Sequence, residues 1–242
     1  MRYAFTLIEL LVVLSIISLL ASIVFASVNT TRDQAYIAAG LTFEDNVHKK
    51  LYNCLIAQYD FEEPTVLGLD SSGYDHHGTN NGATSVEGVN GGFGVNFAGS
   101  QTINVPQNQA FETTTSFAVS FWYQTNNVSR WYPLSISDPS VAEGYRIWHQ
   151  PSTGNYSAAM RKPSWTNTPD FNDNIEVGRW THVMYQFNNA NVQVYENGVL
   201  VNTHPIVGER DFGNGALVRI GQGHTHTMQG QLDNIRFYNC GL

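Results

Sequence analysis

Phe5-Thr-Leu-Ile-Glu9-Leu-Leu-Val-Val-Leu-Ser-Ile-Ile-Ser-Leu-Leu-Ala-Ser-Ile-Val-Phe-Ala-Ser-Val28 is an apolar run whose one charge is Glu9. Its 24 residues, at ~1.5 Å of helical rise each, reach about 36 Å, enough to cross a bilayer core of roughly 30 Å. A carboxylate inside lipid is costly and marks function. Glu9 stands one turn into the helix, close to the partial positive charge of the helix N-terminus. A secretory signal has an apolar core of about 7–15 residues with a small-residue cleavage site after it. Here the core is longer and the small residue, Ala4, comes before it.

The helical pattern continues past the apolar run. Between Thr30 and Cys54 there is no proline, and Gly40 is the one glycine. Apolar residues recur at Tyr36, Ala39, Phe43, Val47, Leu51 and Cys54, which traces one helical stripe. Arg32, Asp33, Glu44, Asp45, Lys49 and Lys50 are expected on the other faces. The pattern predicts a single helix over residues 5–54, about 75 Å long. Its first half is apolar all round and its second half amphipathic.

Ala4 followed by Phe5-Thr6-Leu7-Ile8-Glu9 and a long apolar helix resembles the N-terminal processing segment of type IV prepilins and pseudopilins. The resemblance implies that residues 1–4 are a leader removed by a prepilin peptidase between Ala4 and Phe5. Phe5 would then be N-methylated. Residues 5–28 would span the bacterial inner membrane in the precursor and form the filament core afterwards, with other pilin subunits as partners and an extracellular pilus as destination. The family usually has glycine where Ala4 stands. Glu9 would meet the N-terminal amine of a neighbouring subunit and set the axial register, since opposite charges buried together are tolerable where one alone is not.

Residues 55–242 differ in character: rich in Gly, Asn, Thr and aromatics, and poor in Lys. The chain has 12 Lys+Arg against 20 Asp+Glu, a formal charge of −8, and no basic patch, which argues against nucleic acid as a partner. Its length suffices for one domain with a full core. Phe117–Tyr123, Val183–Phe187, Leu217–Ile220 and Leu232–Tyr238 read as strands. Val192–Val201 reads as a hairpin in which Asn197-Gly198 supplies the positive φ angles of a tight turn. Many short strands without helical period between them point to a sandwich.

The order of Tyr59-Asp-Phe-Glu-Glu63, Leu69-Asp-Ser-Ser-Gly73, Gly92–Gly99, Phe117–Tyr123, Gly178–Val183, Val194–Val199 and Leu232–Asn239 resembles that of laminin-G-like domains. The expected fold is a long N-terminal α-helix followed by an all-β concanavalin A-like jelly-roll sandwich over residues 55–242. The resemblance places the first and last strands side by side and antiparallel. That supports a Cys54–Cys240 disulfide, which an even cysteine pair in an exported chain already suggests; the alternative is two buried thiols. It implies a structural Ca²⁺ held by Glu62, Asp70 and Asp233 with carbonyls of the Ser71–Tyr74 turn; the bland alternative has Asp70 capping its own turn. It also implies recognition of glycans or proteins through rim loops or the concave sheet.

The parity of Trp122, opposite to Phe117, Val119 and Phe121, turns it toward that sheet surface. Trp131, Tyr132, Trp148, Tyr156 and Trp165 lie in the stretch 125–175, which is expected to hold rim loops. Trp180 is expected in the core. His224-Thr-His226 and His76-His77 lack an assured third ligand for a transition metal. No E-x-D-x-x-E cluster of the kind two-carboxylate glycoside hydrolysis would use in this fold occurs, so no catalytic residue is assigned. The expectation is a filament subunit with an adhesive, lectin-like head. The alternative is a purely structural major pilin or a pseudopilin of a type II-like secretion system.

Overall fold

The computed structural model describes residues 6–112, 116–137, 144–150, 155–161, 165–167, 171–172, 175, 177–188, 191–205, 217–223 and 226–242. Helix α1 runs over Leu7–Leu51, about 68 Å at ~1.5 Å per residue, and a 3₁₀ turn, Tyr52–Cys54, follows it. Its start is a capping box: the Thr6 hydroxyl accepts from the Glu9 N–H, and the Glu9 carboxylate accepts from the Thr6 N–H at 2.9 Å. Ser15, Ser18, Ser22 and Ser27 each donate to a carbonyl one turn back, so these hydroxyls are satisfied without water. His48, Lys49 and Lys50 in the last turn face the negative end of the helix dipole.

The strands are β1 (Leu55–Tyr59), β2 (Thr79–Asn81), β3 (Thr84–Glu87), β4 (Phe93–Ala98), β5 (Thr102–Val105), β6 (Phe117–Gln124), β7 (Trp131–Ser137) and β8 (Gly144–Gln150). They continue with β9 (Asn155–Arg161), β10 (Trp165–Asn167), β11 (Phe171–Asn172), β12 (Thr181–Phe187), β13 (Asn191–Glu196), β14 (Val199–Pro205), β15 (Leu217–Ile220) and β16 (Gln229–Tyr238). They form two antiparallel sheets. The first has the order β14-β13-β12-β6-β16-β4-β3, with β1 also on β16; the second runs β10-β9-β8-β7-β15-β5-β2, with β11 on β9.

First and last strands pair as expected: β1 lies antiparallel to β16, with Leu55 opposite Tyr238. Cys54 and Cys240 flank that pair and form a disulfide with a Cα–Cα distance of 5.8 Å. The expected hairpin is β13–β14, with Asn197 at φ 44° and Gly198 at φ 85°. The stretch 125–175, expected to hold rim loops, supplies β7 to β11 of the second sheet. Their side chains serve alternation rather than loop decoration: the aromatics Trp131, Tyr145 and Tyr156, with Ile147, enter the core between the sheets.

Every residue of β6 except Gln124 is buried, and every residue of β12 is buried. A strand with one wet face would alternate. Here Phe117, Val119, Phe121 and Tyr123 face the second sheet, while Ala118, Trp122 and Met184 on the opposite face are covered by the C-terminal half of α1. The N-terminal half is the reverse: from Leu7 to Val28 every large apolar side chain among the described residues is exposed.

Candidate functional site

The helix–head junction is held at three levels. Ile37 and Leu41 pack on Trp122, Trp180 and Val89, and Phe43, Val47 and Leu51 pack on Met184, Ala118 and Tyr238. Trp180 thus belongs to this junction rather than to the core between the sheets. Gly40 lets the helix approach closely: a Cβ there would lie 2.4 Å from the Trp122 ring and 3.0 Å from His182 Cβ. Gly198 plays the matching part on the hairpin turn, where a Cβ would sit 3.1 Å from Phe43 Cβ.

Charge forms the second level. Glu44, only 6 % exposed, accepts from Trp122 Nε1–H at 2.8 Å and pairs with the Arg236 guanidinium, whose Nε–H donates to Gln58 at 3.2 Å. Further along the helix, Arg179 reaches Asp33 at 3.4 Å and stacks over the Tyr36 ring at 3.9 Å from its centroid. The disulfide is the third level. These contacts correct the expected stripe in part. Phe43, Val47 and Leu51 face the head, but Ala39 is exposed and Tyr36 is a rim residue. Gly40 and Glu44 take the seam instead, because the close approach to Trp122 and His182 needs a residue without a side chain and the largely buried Arg236 needs a counter-charge.

His182 lies inside the junction, fully buried, with Trp122 at a ring-centroid distance of 5.2 Å. Among the described residues neither of its ring nitrogens has a hydrogen-bond partner. Burial, reinforced by Arg236, pushes its pKa down to about 3, so the ring is neutral at physiological pH. His149 sits between the sheets among Trp131, Tyr123 and Tyr156, and burial likewise holds it well below the usual histidine range.

Of the predicted ligand-contact aromatics, Trp122, Trp131, Tyr132, Trp148 and Tyr156 are buried and do not form a surface. Trp122 has the predicted parity, but the helix covers it. Trp131 and Tyr156 are fully buried between the sheets, the Tyr156 hydroxyl lying 2.7 Å from that of Tyr123 and donating to Glu196 at 2.6 Å. Tyr132 and Trp148 form a small cluster of their own, 7 % and 6 % exposed, with Tyr132 stacked on His226 and Arg130 over Trp148. The Trp165 side chain, Ala4, Phe5 and His224 lie outside the described residues. The reason for the correction is that large aromatics on these strands are consumed by packing: Trp131 and Tyr156 between the sheets, Trp122 under the helix, and Tyr132 and Trp148 against each other.

The three carboxylates expected around calcium do not form one site. Asp70 organises its own loop, accepting from Gln58 N, Ser72 N, Ser72 Oγ and His76 N, all at 2.9 Å. Burial raises its proton affinity, but those four donors outweigh it and hold the carboxyl below the usual range. Asp233 accepts from Val89 N at 3.0 Å and Asn234 N at 2.7 Å, and burial raises its pKa to about 7. Glu62 approaches the same Gly88–Phe93 turn, accepting from Phe93 N at 3.4 Å. Among the described residues no three His, Cys, Asp or Glu side chains converge for a metal ion. The trio therefore does not fit calcium, because Asp70 already has its oxygens filled by N–H and O–H donors.

At the other end of the chain, Glu9 is engaged by Thr6, whose hydroxyl donates to it at 2.6 Å. The pattern Thr6-Leu-Ile-Glu9 is a capping-box signature that marks this partner in the sequence itself.

Comparison with known proteins bears on both halves. Residues 97–242 match the concanavalin A-like lectin/glucanases superfamily, and residues 1–25 match the prokaryotic N-terminal methylation motif. No curated protein is detectably similar in sequence. Domain 4 of AbnA, a GH43 extracellular arabinanase from Geobacillus stearothermophilus solved with arabinotriose, is 22 % identical with a TM-score of 0.62, over 76 % of this chain and 91 % of that one. A structure of botulinum neurotoxin type C, whose cell entry depends on two ganglioside molecules, has 16 % identity and a TM-score of 0.62 over 80 % of this chain. The binding domain of Paraclostridial Mosquitocidal Protein 1 has 17 % identity and a TM-score of 0.63 over 79 % of this chain. This chain spans 50 % of each of the latter two. At these identities the likeness is one of fold.

Proposed function

The chain belongs to the concanavalin A-like lectin/glucanases superfamily and carries a prokaryotic N-terminal methylation motif, and we propose that it is a bacterial type IV pilin-like filament subunit displaying a lectin-like head. The observation that carries this reading is the division of one helix into two environments. Its first half presents only exposed apolar side chains, and its second half is locked to the head by packing, an ion pair and a disulfide. An apolar surface of that extent needs lipid, and after assembly other helices, to cover it. The rigid junction then carries any motion or force on the head directly into the stalk.

In this reading the precursor sits in the inner membrane, a prepilin peptidase trims it before Phe5, and the head is presented at the cell surface for adhesion to glycans or proteins. The neighbours that bind arabinotriose and gangliosides support a sugar as the ligand class. Binding without chemistry is the proposed role. A second reading, a purely structural pilin or pseudopilin, draws on a specific observation: the helix occupies the sheet face to which Trp122 points.

Glu9 is the test residue for the filament half. Glu9→Gln keeps the apolar length, so membrane insertion is expected to persist while the chain is lost from sheared filaments on immunoblots. Wild-type incorporation of the Glu9→Gln chain would sink the assembly role. Labelling intact cells for the head distinguishes the two readings of the head: adhesion requires it on surface filaments, whereas confinement to the cell envelope indicates a pseudopilin.

A further inference from the structure

Beyond Trp122 the outer face of the first sheet changes character. Gln124 on β6 is the cross-strand partner of Gln231 on β16, and Gln231 is the partner of Asn96 on β4. Their sequence neighbours Tyr123, Leu232 and Val95 are buried in the core between the sheets. Alternation therefore turns all three carboxamides to the opposite face, in one row at about 4.8 Å spacing. Asn126 and Asn127 from the segment after β6, and Gln229 at the start of β16, stand around the row. Together they line a cleft of about 440 Å³, within the range of roughly 300–1,000 Å³ typical of ligand sites.

The cleft is built on a fixed frame. Thr125, 2 % exposed, donates from its hydroxyl to the Gln229 carbonyl at 2.6 Å and accepts from Asn127 N at 3.0 Å. Its carbonyl accepts from Gly178 N at 2.7 Å, and Gln124 Nε2 donates to the Gly178 carbonyl at 3.0 Å. Gly230 is required where the strands meet, since a Cβ there would lie 2.5 Å from the Gln124 carbonyl oxygen. The side-chain carboxamides of Asn96 and Gln231, by contrast, make no hydrogen bond among the described residues, and both residues are partly exposed and line the cleft.

The chemistry of the lining selects a ligand. A carboxamide offers two N–H donors and an oxygen acceptor at fixed geometry, which matches adjacent hydroxyls that each donate and accept. None of the lining residues is charged or aromatic. An anionic ligand would find no cation there, and a flat apolar ligand no platform. We propose that this carboxamide-lined cleft is a saccharide-binding site for a neutral oligosaccharide. The proposal rests on the lectin-like reading of the head and gives it a location, away from the aromatic residues that the sandwich has buried.

The test uses the full chain in detergent micelles with its disulfide intact, because helix and head share a core. Neutral probes are arabinotriose, cellotetraose and chitotriose, and 3′-sialyllactose is the anionic one; binding is read by saturation-transfer NMR and titration. At least one neutral probe is expected to bind saturably. The double variant Asn96→Ala/Gln231→Ala should weaken that binding at least tenfold with an unfolding midpoint equal to wild type. Equal affinity in the variant would overturn the cleft while leaving a sugar site elsewhere on the head. Binding of sialyllactose alone would overturn the neutral specificity. Silence of the wild type toward every probe would remove both the cleft and the glycan part of the head's proposed function.

Discussion

Glu44 offers the sharpest test of the junction. Its carboxylate is the acceptor for Trp122 Nε1–H and the counter-charge of Arg236, and both partners are largely buried. Glu44→Ala leaves an indole N–H without its acceptor, worth about 1–3 kcal/mol, and a guanidinium with Gln58 as its remaining side-chain acceptor. Breaking a buried pair from one side costs about 3–5 kcal/mol in total. For a domain of this size that is a fall of about 6–20 °C in midpoint. Arg236→Met should cost a similar amount, because it strands the carboxylate instead. The double variant Glu44→Ala/Arg236→Met strands no charge and keeps the loss of the Trp122 N–H acceptor, about 1–3 kcal/mol. It should therefore lie well above the sum of the single losses, with a coupling of at least ~2 kcal/mol. Urea unfolding of the disulfide-intact chain, followed by tryptophan fluorescence, gives the energies. Amide exchange over Asp33–Leu51 shows whether the loss appears as undocking of the helix. A Glu44→Ala cost below about 1 kcal/mol, or a double variant equal to the sum of the singles, would refute the reasoning.

Two further outcomes follow from the same geometry. The Cys54–Cys240 bond closes a separation of 186 residues, so in chain-entropy terms its reduction should cost about 5 kcal/mol; equal urea midpoints for oxidised and reduced chain would count against that. His182 has a folded pKa of about 3 against about 6.5 unfolded, so the unfolded chain binds a proton that the folded chain does not, and stability is lost as pH falls from about 6.5 toward 3. His149 acts with the same sign, while Asp233, raised to about 7, acts with the opposite one, since there the folded state holds the extra proton. His182→Leu should therefore flatten the acid limb by about 1.4 kcal/mol per pH unit between pH 4 and 6, and Asp233→Asn should steepen it. An unchanged slope in His182→Leu would place the acid sensitivity elsewhere.

Much of the fold was legible because local pattern and covalent geometry carry it. The lack of proline from Phe5 to Cys54, the Asn197-Gly198 turn and the alternation in Phe117–Tyr123 each specify their element from neighbours in the chain. The site was less legible. Alternation says that Trp122 leaves the core between the sheets, but not what lies beyond it. Glu44 reads as one more solvated charge, since its partners Trp122 and Arg236 stand 78 and 192 residues away. Ala118 and Ser120, small residues opposite the core face of β6, were a signal that something packs closely there.

What the sequence determined by itself is what short-range physics encodes: an apolar length that suits a membrane, a charge at its start, strands set by period two, and a cysteine pair at the ends of the head. Tertiary structure alone decided which faces are wet. It laid half of the helix over the sheet, enclosed Trp122, Trp131 and Tyr156, gave Asp70 to its own loop, and brought Asn96, Gln124 and Gln231 into one row from three strands far apart in the chain. Exposure and cross-strand register are properties of pairs of distant segments. No stretch of sequence read alone contains them.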